Sequence, residues 1–258
     1  MSNRIEEAFA GGKAFIPFLT CGDPDGALTQ ELVLSMAEAG ADIIELGLPF
    51  SDPIAEGPVI QQADERALHN GFKINHFFRL VEGIRYYSNI PLVCMTYLNP
   101  VYRFGKQTFL QYAQTAGLDG IIIPDLPYEE RDEIAQDCRE HSITHIHMIA
   151  PTSRQRITEV ASHSKGFLYC VSSMGVTGMR STLGDTARTM VAQAKEATTT
   201  PCAVGFGIHS EEQARKVAAF ADGVIVGSAI VNLIATYGRQ SVEPVSSYVR
   251  TMKKAITS

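Results

Sequence analysis

No run of 18 consecutive apolar residues occurs in this 258-residue chain; the most apolar tract, Gly223 to Ala235, is short and interrupted by Asn232. A membrane-crossing helix needs about 20 such residues, so the sequence offers no candidate for one. The segment Met1 to Lys13 is polar, carries Arg4, Glu6 and Glu7, and lacks the apolar core of a signal peptide. Cysteine is sparse. The five residues at 21, 94, 138, 170 and 202 are odd in number, widely spaced and without a CxxC pair. That pattern argues against a disulfide framework or a zinc ribbon and for a reducing compartment, so the expected location is cytoplasmic. Basic clusters are short as well. With 22 Lys and Arg against 28 Asp and Glu the net charge is −6, and no basic stripe exists to displace counterions from a nucleic acid. No linker or low-complexity segment divides the chain, and residues 1–258 read as one domain.

What is present is an alternation of short apolar, β-branched runs with longer amphipathic stretches. The runs are Ala14–Thr20, Asp42–Gly47, Pro91–Thr96, Gly120–Pro124, Thr144–Ile149, Gly166–Val171, Pro201–Gly205 and Gly223–Gly227. Each is apolar on both faces, as parallel strands are when helices cover them outside and a packed core fills the inside. Helical spacing marks Leu28–Ala39, Ile74–Tyr87, Lys106–Ala116, Tyr128–His141, Gln155–Ser162, Thr186–Ala197 and Ser210–Phe220. Gly40 and Gly117 follow two of these helices where a left-handed cap is expected. Eight strand–helix units in ~250 residues favour an α/β fold closed as a (β/α)8 TIM barrel over an open sheet. Two long loops follow strands, from Leu48 to about Ala63 and from Ser172 to about Asp185, on the barrel end where such folds keep their chemistry.

The first of these loops carries the most chemistry: Glu45-Leu-Gly-Leu-Pro-Phe-Ser-Asp-Pro-Ile-Ala-Glu-Gly-Pro. Strand alternation puts Ile43, Glu45 and Gly47 on one face and Ile44 and Leu46 on the other. A carboxylate within an apolar strand is expensive to bury ionised, so its pKa should rise toward the range of a general acid or base. The alternative is a buried Glu paired with an Arg or Lys. Asp52 and Glu56 follow on the loop; either could be a second acid–base group, and Asp52 could be only a turn residue before Pro53. Near the last two strands lie Gly205-Phe206-Gly207 and Gly227-Ser228, with Gly175-Val-Thr-Gly178 on the second loop. Glycines that admit close backbone approach, beside a helix N-terminus, suit a phosphate cup. Tyr169 on the sixth strand could face the substrate or be a core tyrosine. His145 and His147 share a strand face, yet no third ligand lies at a suitable spacing, so pocket wall is the expected role and no metal is expected.

At these residues the chain resembles the tryptophan synthase α-subunit family. The resemblance runs through Phe18 to Pro24, Glu45 to Gln61, Thr96 to Pro100, Pro124 to Pro127, Gly175 to Gly178, Gly205 to Gly207 and Gly227-Ser228, and Glu-Leu-Gly-x-Pro-Phe-Ser-Asp-Pro is its most specific string. It implies an aldol-type cleavage of indole-3-glycerol phosphate to indole and glyceraldehyde 3-phosphate. Glu45 matches the principal acid–base residue, Glu56 the group that binds the indole N–H and stabilises the charge growing there, and Tyr169 a tyrosine close to Glu45. Phe18, Tyr97 and Ile149 match the indole pocket. Thr177, Gly178, Phe206, Gly207, Gly227 and Ser228 match the substrate and phosphate contacts. The resemblance further implies no metal or organic cofactor in this chain, and a β subunit carrying pyridoxal phosphate in an α2β2 assembly. Pro49, Asp52, Asn99 and Pro100 match the surface facing that subunit, and the Ser172–Asp185 loop matches a closing lid. One departure stands out. Glu56 replaces the family's usual Asp, adding ~1.5 Å of reach. Displacements of ~1 Å can cost about a hundredfold in rate, which leaves open a weakly active or inactive subunit serving mainly to activate a β partner.

Overall fold

All eight apolar runs enter one parallel sheet, seven as single strands and Thr144–Ile149 as two. The computed structural model describes residues 3–172, 183–205 and 207–257. Its strands are β1 (Ala14–Thr20), β2 (Ile44–Gly47), β3 (Leu92–Met95), β4 (Gly120–Ile122), β5 (Thr144–His145), β6 (Met148–Ile149), β7 (Leu168–Val171), β8 (Cys202–Gly205) and β9 (Gly223–Val226). The spatial order is β5-β4-β3-β2-β1-β9-β8-β7-β6. Its two ends are one stretch of chain. The single strand expected over Thr144–Ile149 is two pieces: β5 pairs with β4, and β6 pairs with β7. Between them the Ile146 N–H donates to the Ile121 carbonyl at 2.9 Å, while the Tyr169 N–H donates to the His147 carbonyl at 2.9 Å. The fifth barrel strand thus changes partner midway, as strand tilt and stagger require, and the sheet closes into the expected barrel.

Alternation along the strands divides the core in two. Ile16, Phe18, Ile43, Val93, Met95, Ile122, Tyr169 and Ile225 fill the barrel. Ile44, Leu46, Leu92, Ile121, Leu168 and Val204 face outward into the helices. Those helices are α1 (Arg4–Ala10), α2 (Gly26–Glu38), α3 (Pro58–His69), α4 (Ile74–Tyr87), α5 (Leu98–Phe104), α6 (Lys106–Ala116), α7 (Asp132–Glu140), α8 (Arg154–Ser162), α9 (Leu183–Lys195), α10 (Glu211–Ala218), α11 (Ser228–Tyr237) and α12 (Val242–Thr257). On α4 the buried residues Phe77, Phe78, Leu80, Val81 and Ile84 recur at helical spacing. Burying such side chains is worth about 1.5–3 kcal/mol each, which fixes the helix against the barrel.

Two helix details revise the expectation. The loop after β2 was read as reaching Ala63, yet α3 begins at Pro58, with Gly57 as its N-cap. Proline lacks the N–H that the first helical residue could not bond anyway, so it starts a helix well. The acidic loop is therefore the shorter stretch 48–57. At the opposite barrel end, α1 plugs the floor: Ile5 is fully buried in the interior cluster, and Arg4 bonds Asp119 at 2.8 Å. Gly40 and Gly117 have φ of +103° and +91°, as their cap positions demand.

Candidate active site

Glu45 sits in mid-strand on β2, facing inward with Ile43, and it is 1% exposed. Register places it between Phe18 of β1 and Val93 of β3. Neither carboxylate oxygen has a hydrogen-bond partner among the described residues, so the ion-paired alternative does not hold. Burial, and secondarily the charge of Glu56, pushes the carboxyl up to about 8. At neutral pH such a group holds its proton and can donate it. The space beside it depends on glycine. A Cβ at Gly205 would fall 2.6 Å from the Tyr169 hydroxyl, so the phenol reaches inward only because β8 carries no side chain there.

Glu56, half-buried on the loop, is held by Tyr97, whose hydroxyl donates to its carboxylate. The same hydroxyl accepts the N–H groups of Ile54 at 3.0 Å and Ala55 at 2.9 Å. Gln61 Nε2 donates to the Glu56 carbonyl at 2.9 Å. Burial raises the Glu56 carboxyl, and the Tyr97 hydrogen bond works against that rise. The ring of Tyr97 stacks on Phe50 with centroids 5.0 Å apart.

A cavity of about 230 Å³ joins these groups. Glu45, Glu56, Tyr169 and Phe18 line it together with Gly207, Gly227 and Ser228. Gly207 has a φ of +75°, a left-handed backbone that an L side chain strains to adopt. Gly227 is the N-cap of α11 and bonds the N–H groups of Ile230 and Val231 through its carbonyl. Ser228 and Ala229, in the first turn of α11, line the cavity, and first-turn N–H groups have no acceptor within their own helix.

Sequence reasoning therefore brings seven residues to one cavity. Two of its expected contacts fall elsewhere. Ile149 packs in the outer core cluster and lines the adjoining cavity of about 800 Å³, which Glu56 also lines, while its neighbour Met148, paired with Tyr169, lines both. Tyr97 lies behind Glu56 and supports it, and is not part of the cavity lining. Thr177, Gly178 and Phe206, with most of the Ser172–Asp185 loop, lie outside the described residues. Met95, Pro124, Ile60 and His209 also line the cavity and were not anticipated. Nor was Asp64 of α3, 5% exposed and pushed up to about 7 by burial and by the charge of Glu56.

Of the surface positions, Asp52 and Asn99 are exposed, whereas Pro49 is buried within the chain itself. Pro49 and Pro100 share the lining of a shallow depression with Leu48 and Phe104. His145 and His147 stand with ring centroids 4.7 Å apart in the wall of a neighbouring cavity of about 800 Å³. Burial pushes them down to about 3 and about 4, which keeps both neutral. No cluster of three metal-ligating side chains occurs among the described residues.

The comparisons with known proteins agree with this geometry. Residues 6–257 match the family model described as tryptophan synthase alpha chain. A tryptophan synthase alpha chain of Thermoanaerobacter pseudethanolicus is 44% identical over 261 aligned positions, covering 98% of this chain and all of that one. The crystal structure of the alpha subunit from Legionella pneumophila superposes with a TM-score of 0.91 at 36% identity, covering 100% of this chain and 99% of that one. A subunit of the tryptophan synthase α2β2 complex from Pyrococcus furiosus gives 0.86 at 40% identity, covering 93% and 98%. This chain belongs to the tryptophan synthase alpha chain family.

Proposed function

We propose that this chain cleaves indole-3-glycerol phosphate to indole and glyceraldehyde 3-phosphate, with Glu45 moving the proton and Glu56 holding the indole N–H. The observation that carries the reading is a buried, unpartnered carboxyl sharing one cavity with a second carboxylate and with two glycine turns at the ends of β8 and β9. The family's activity is a carbon–carbon lyase reaction without a cofactor in the alpha chain, pyridoxal phosphate being carried by the β subunit.

Breaking the bond between the indole ring and its glycerol chain requires a proton at the ring carbon and loss of a proton from the chain hydroxyl. A carboxyl held protonated at neutral pH can make the first transfer, and the carboxylate left behind can accept the second proton. Positive charge grows on the indole nitrogen in the first step. Glu56, to which the Tyr97 hydroxyl donates, stabilises that charge through the N–H. Two carboxyl groups whose environments differ in this way divide acid and base roles. Gly207, Gly227 and Ser228, with Thr177, Gly178 and Phe206, form the phosphate and substrate contacts in this reading. Phe18 and Met148 wall the indole ring, and Tyr169 stands beside Glu45.

The assembly is α2β2 with a β subunit, as in the Pyrococcus furiosus complex. Asp52 and Asn99 face that partner, and Pro49 joins Pro100 in the depression behind them. Residues 1–258 act as one barrel domain. No helix among the described residues is long and apolar enough to cross a membrane, and all five cysteines are free and buried, which supports a cytoplasmic reading. The second reading, a subunit that mainly activates its partner, draws on Glu56 standing where the family usually has Asp. Incubating the chain with indole-3-glycerol phosphate, with and without the β subunit, separates the two. Indole release supports the lyase; stimulation of the β reaction with no indole release in either mixture overturns it.

A further inference from the structure

The substrate assigned above carries its charge on the phosphate, yet the cavity that takes it is acidic. Its described lining residues include Glu45 and Glu56 but no lysine or arginine. Carboxylates repel a phosphate, and main-chain dipoles at glycine turns and at the start of α11 offset only part of that repulsion. One side chain among the described lining residues can carry positive charge. It is His209.

His209 lies two residues past Gly207, between β8 and α10, and is exposed at the cavity mouth. Its main chain is fastened on both sides. The His209 N–H donates to Gln213 Oε1 at 2.9 Å, the oxygen that also closes the Ser210 capping box of α10. The Tyr248 hydroxyl of α12 donates to the His209 carbonyl at 3.0 Å. The ring is oriented too, with Nδ1 lying 3.2 Å from the Gly207 carbonyl. A carbonyl oxygen only accepts, so Nδ1 carries the hydrogen and the neutral ring has its lone pair on Nε2. Nε2 has no hydrogen-bond partner among the described residues. The other ionisable groups lining this cavity are Tyr169 and the two acids. His145 and His147 stand in the adjoining cavity, where burial keeps them neutral.

We propose that His209 is a further phosphate-binding residue for the lyase reaction: with Nδ1 held on the Gly207 carbonyl, the ring takes a proton from solvent at Nε2 and donates it, as an imidazolium, in a hydrogen bond to the substrate phosphate. The inference rests on the phosphate position given above. Gly207 both lines the cavity and orients the ring, so the glycine turn and the cation form one unit. Charge-assisted hydrogen bonds to phosphate are the stronger kind. This one is made equally in the ground state and the transition state, because the phosphate takes no part in breaking the carbon–carbon bond. It therefore acts on KM and leaves kcat alone.

The test measures indole release by the complex with its β subunit at one fixed pH, together with competitive inhibition by inorganic phosphate, in the native chain, His209→Ala and His209→Gln. His209→Ala should raise KM and the phosphate inhibition constant together, by about tenfold, with kcat within about twofold. His209→Gln keeps a donor but no charge, so both constants should stay above their native values. The ring gives a second reading. Adding inorganic phosphate to the full chain should move the His209 ¹⁵N signals, identified by their loss in His209→Gln, to the imidazolium position. A loss confined to kcat, an unchanged phosphate inhibition constant, full recovery in His209→Gln, or ring signals that phosphate leaves in place would overturn the proposal. Gly207→Val separates the layers. If phosphate inhibits that variant as well as the native chain, the phosphate site itself lies elsewhere; if inhibition weakens there but holds in His209→Ala, only the role of His209 falls.

Discussion

The ring of Phe18 occupies the space that a side chain at position 47 would need: a Cβ built on Gly47 lies 2.6 Å from Phe18 Cζ. Phe18 and Gly47 belong to adjacent parallel strands, and the missing side chain on β2 lets the β1 ring lie across it, toward Gly227. Gly47→Ala should push this ring into the indole-side wall. Overpacking of this kind costs about 1–3 kcal/mol, and the ring cannot move without narrowing the cavity. The expected result is a lowered Tm together with a raised KM for indole-3-glycerol phosphate. A variant with both values unchanged would show that the ring has room to shift.

Glu45→Gln should abolish indole release while the circular dichroism spectrum stays native, because the amide fills the same volume and cannot exchange a proton. Retained turnover would remove Glu45 from the acid–base role. The same substitution tests the electrostatics of the site. The folded chain holds the Glu45 proton up to about pH 8, whereas the group ionises near 4.5 when exposed. Across that window the native state binds more protons than the unfolded one, so stability falls as pH rises. Asp64, raised from 3.8 to about 7, adds a slope of the same sign. Urea unfolding of the isolated chain at pH 5 and pH 8 should therefore show a drop on the order of a few kcal/mol, reduced in Glu45→Gln. A flat profile in the native chain would mean that Glu45 is ionised throughout.

Glu56→Asp restores the family's usual residue and withdraws the carboxylate by ~1.5 Å. If the reach of Glu is merely tolerated, kcat should be preserved or should rise. The hydrogen bond from Tyr97 makes the outcome informative, because a shorter side chain must either draw that hydroxyl along or lose it. A fall in kcat of about a hundredfold would show that the loop and Tyr97 are built around Glu.

Much of this arrangement was legible because strand period is rigid. Alternation alone put Ile43 and Glu45 on one face and Ile44 and Leu46 on the other, and in the structure the first face turns into the barrel. The same rigidity bears on the place of Ile149, which lines the adjoining cavity beside Glu56 while Met148 lines both. A one-residue difference reverses the face of a strand, and the break between β5 and β6 leaves too few residues for alternation to be read, so Met148 took the inward place. The start of α3 at Pro58 could have been read, since Pro at the first helical position is a known signal. The bond from Tyr97 to Glu56 and the burial of Asp64 could not. Each meets a partner 41 to 44 residues distant in sequence, Glu56 for the one and Thr20 for the other, and no local pattern encodes such a meeting.

The phosphate contacts yield the last test. Gly207 holds a φ of +75°, and open space surrounds its missing Cβ, so a side chain there is opposed by the backbone alone. Left-handed geometry costs an L residue roughly 1–2 kcal/mol, and Gly207→Val would turn the β8 loop away from the cavity. Gly227 differs. Its φ is −112°, and a Cβ there would stand 3.3 Å from Phe18 Cδ1, so Gly227→Ala presses on the ring while leaving the helix start intact. Because the phosphate is remote from the breaking bond, Gly207→Val should raise KM several-fold more than it lowers kcat. Gly227→Ala should disturb both, since it moves an indole contact as well as the first-turn N–H groups of Ser228 and Ala229. Inorganic phosphate as a competitive inhibitor provides the independent reading: its inhibition constant should rise in Gly207→Val in step with KM. A KM that climbs while phosphate inhibits as well as before would place the anion elsewhere than between β8 and β9.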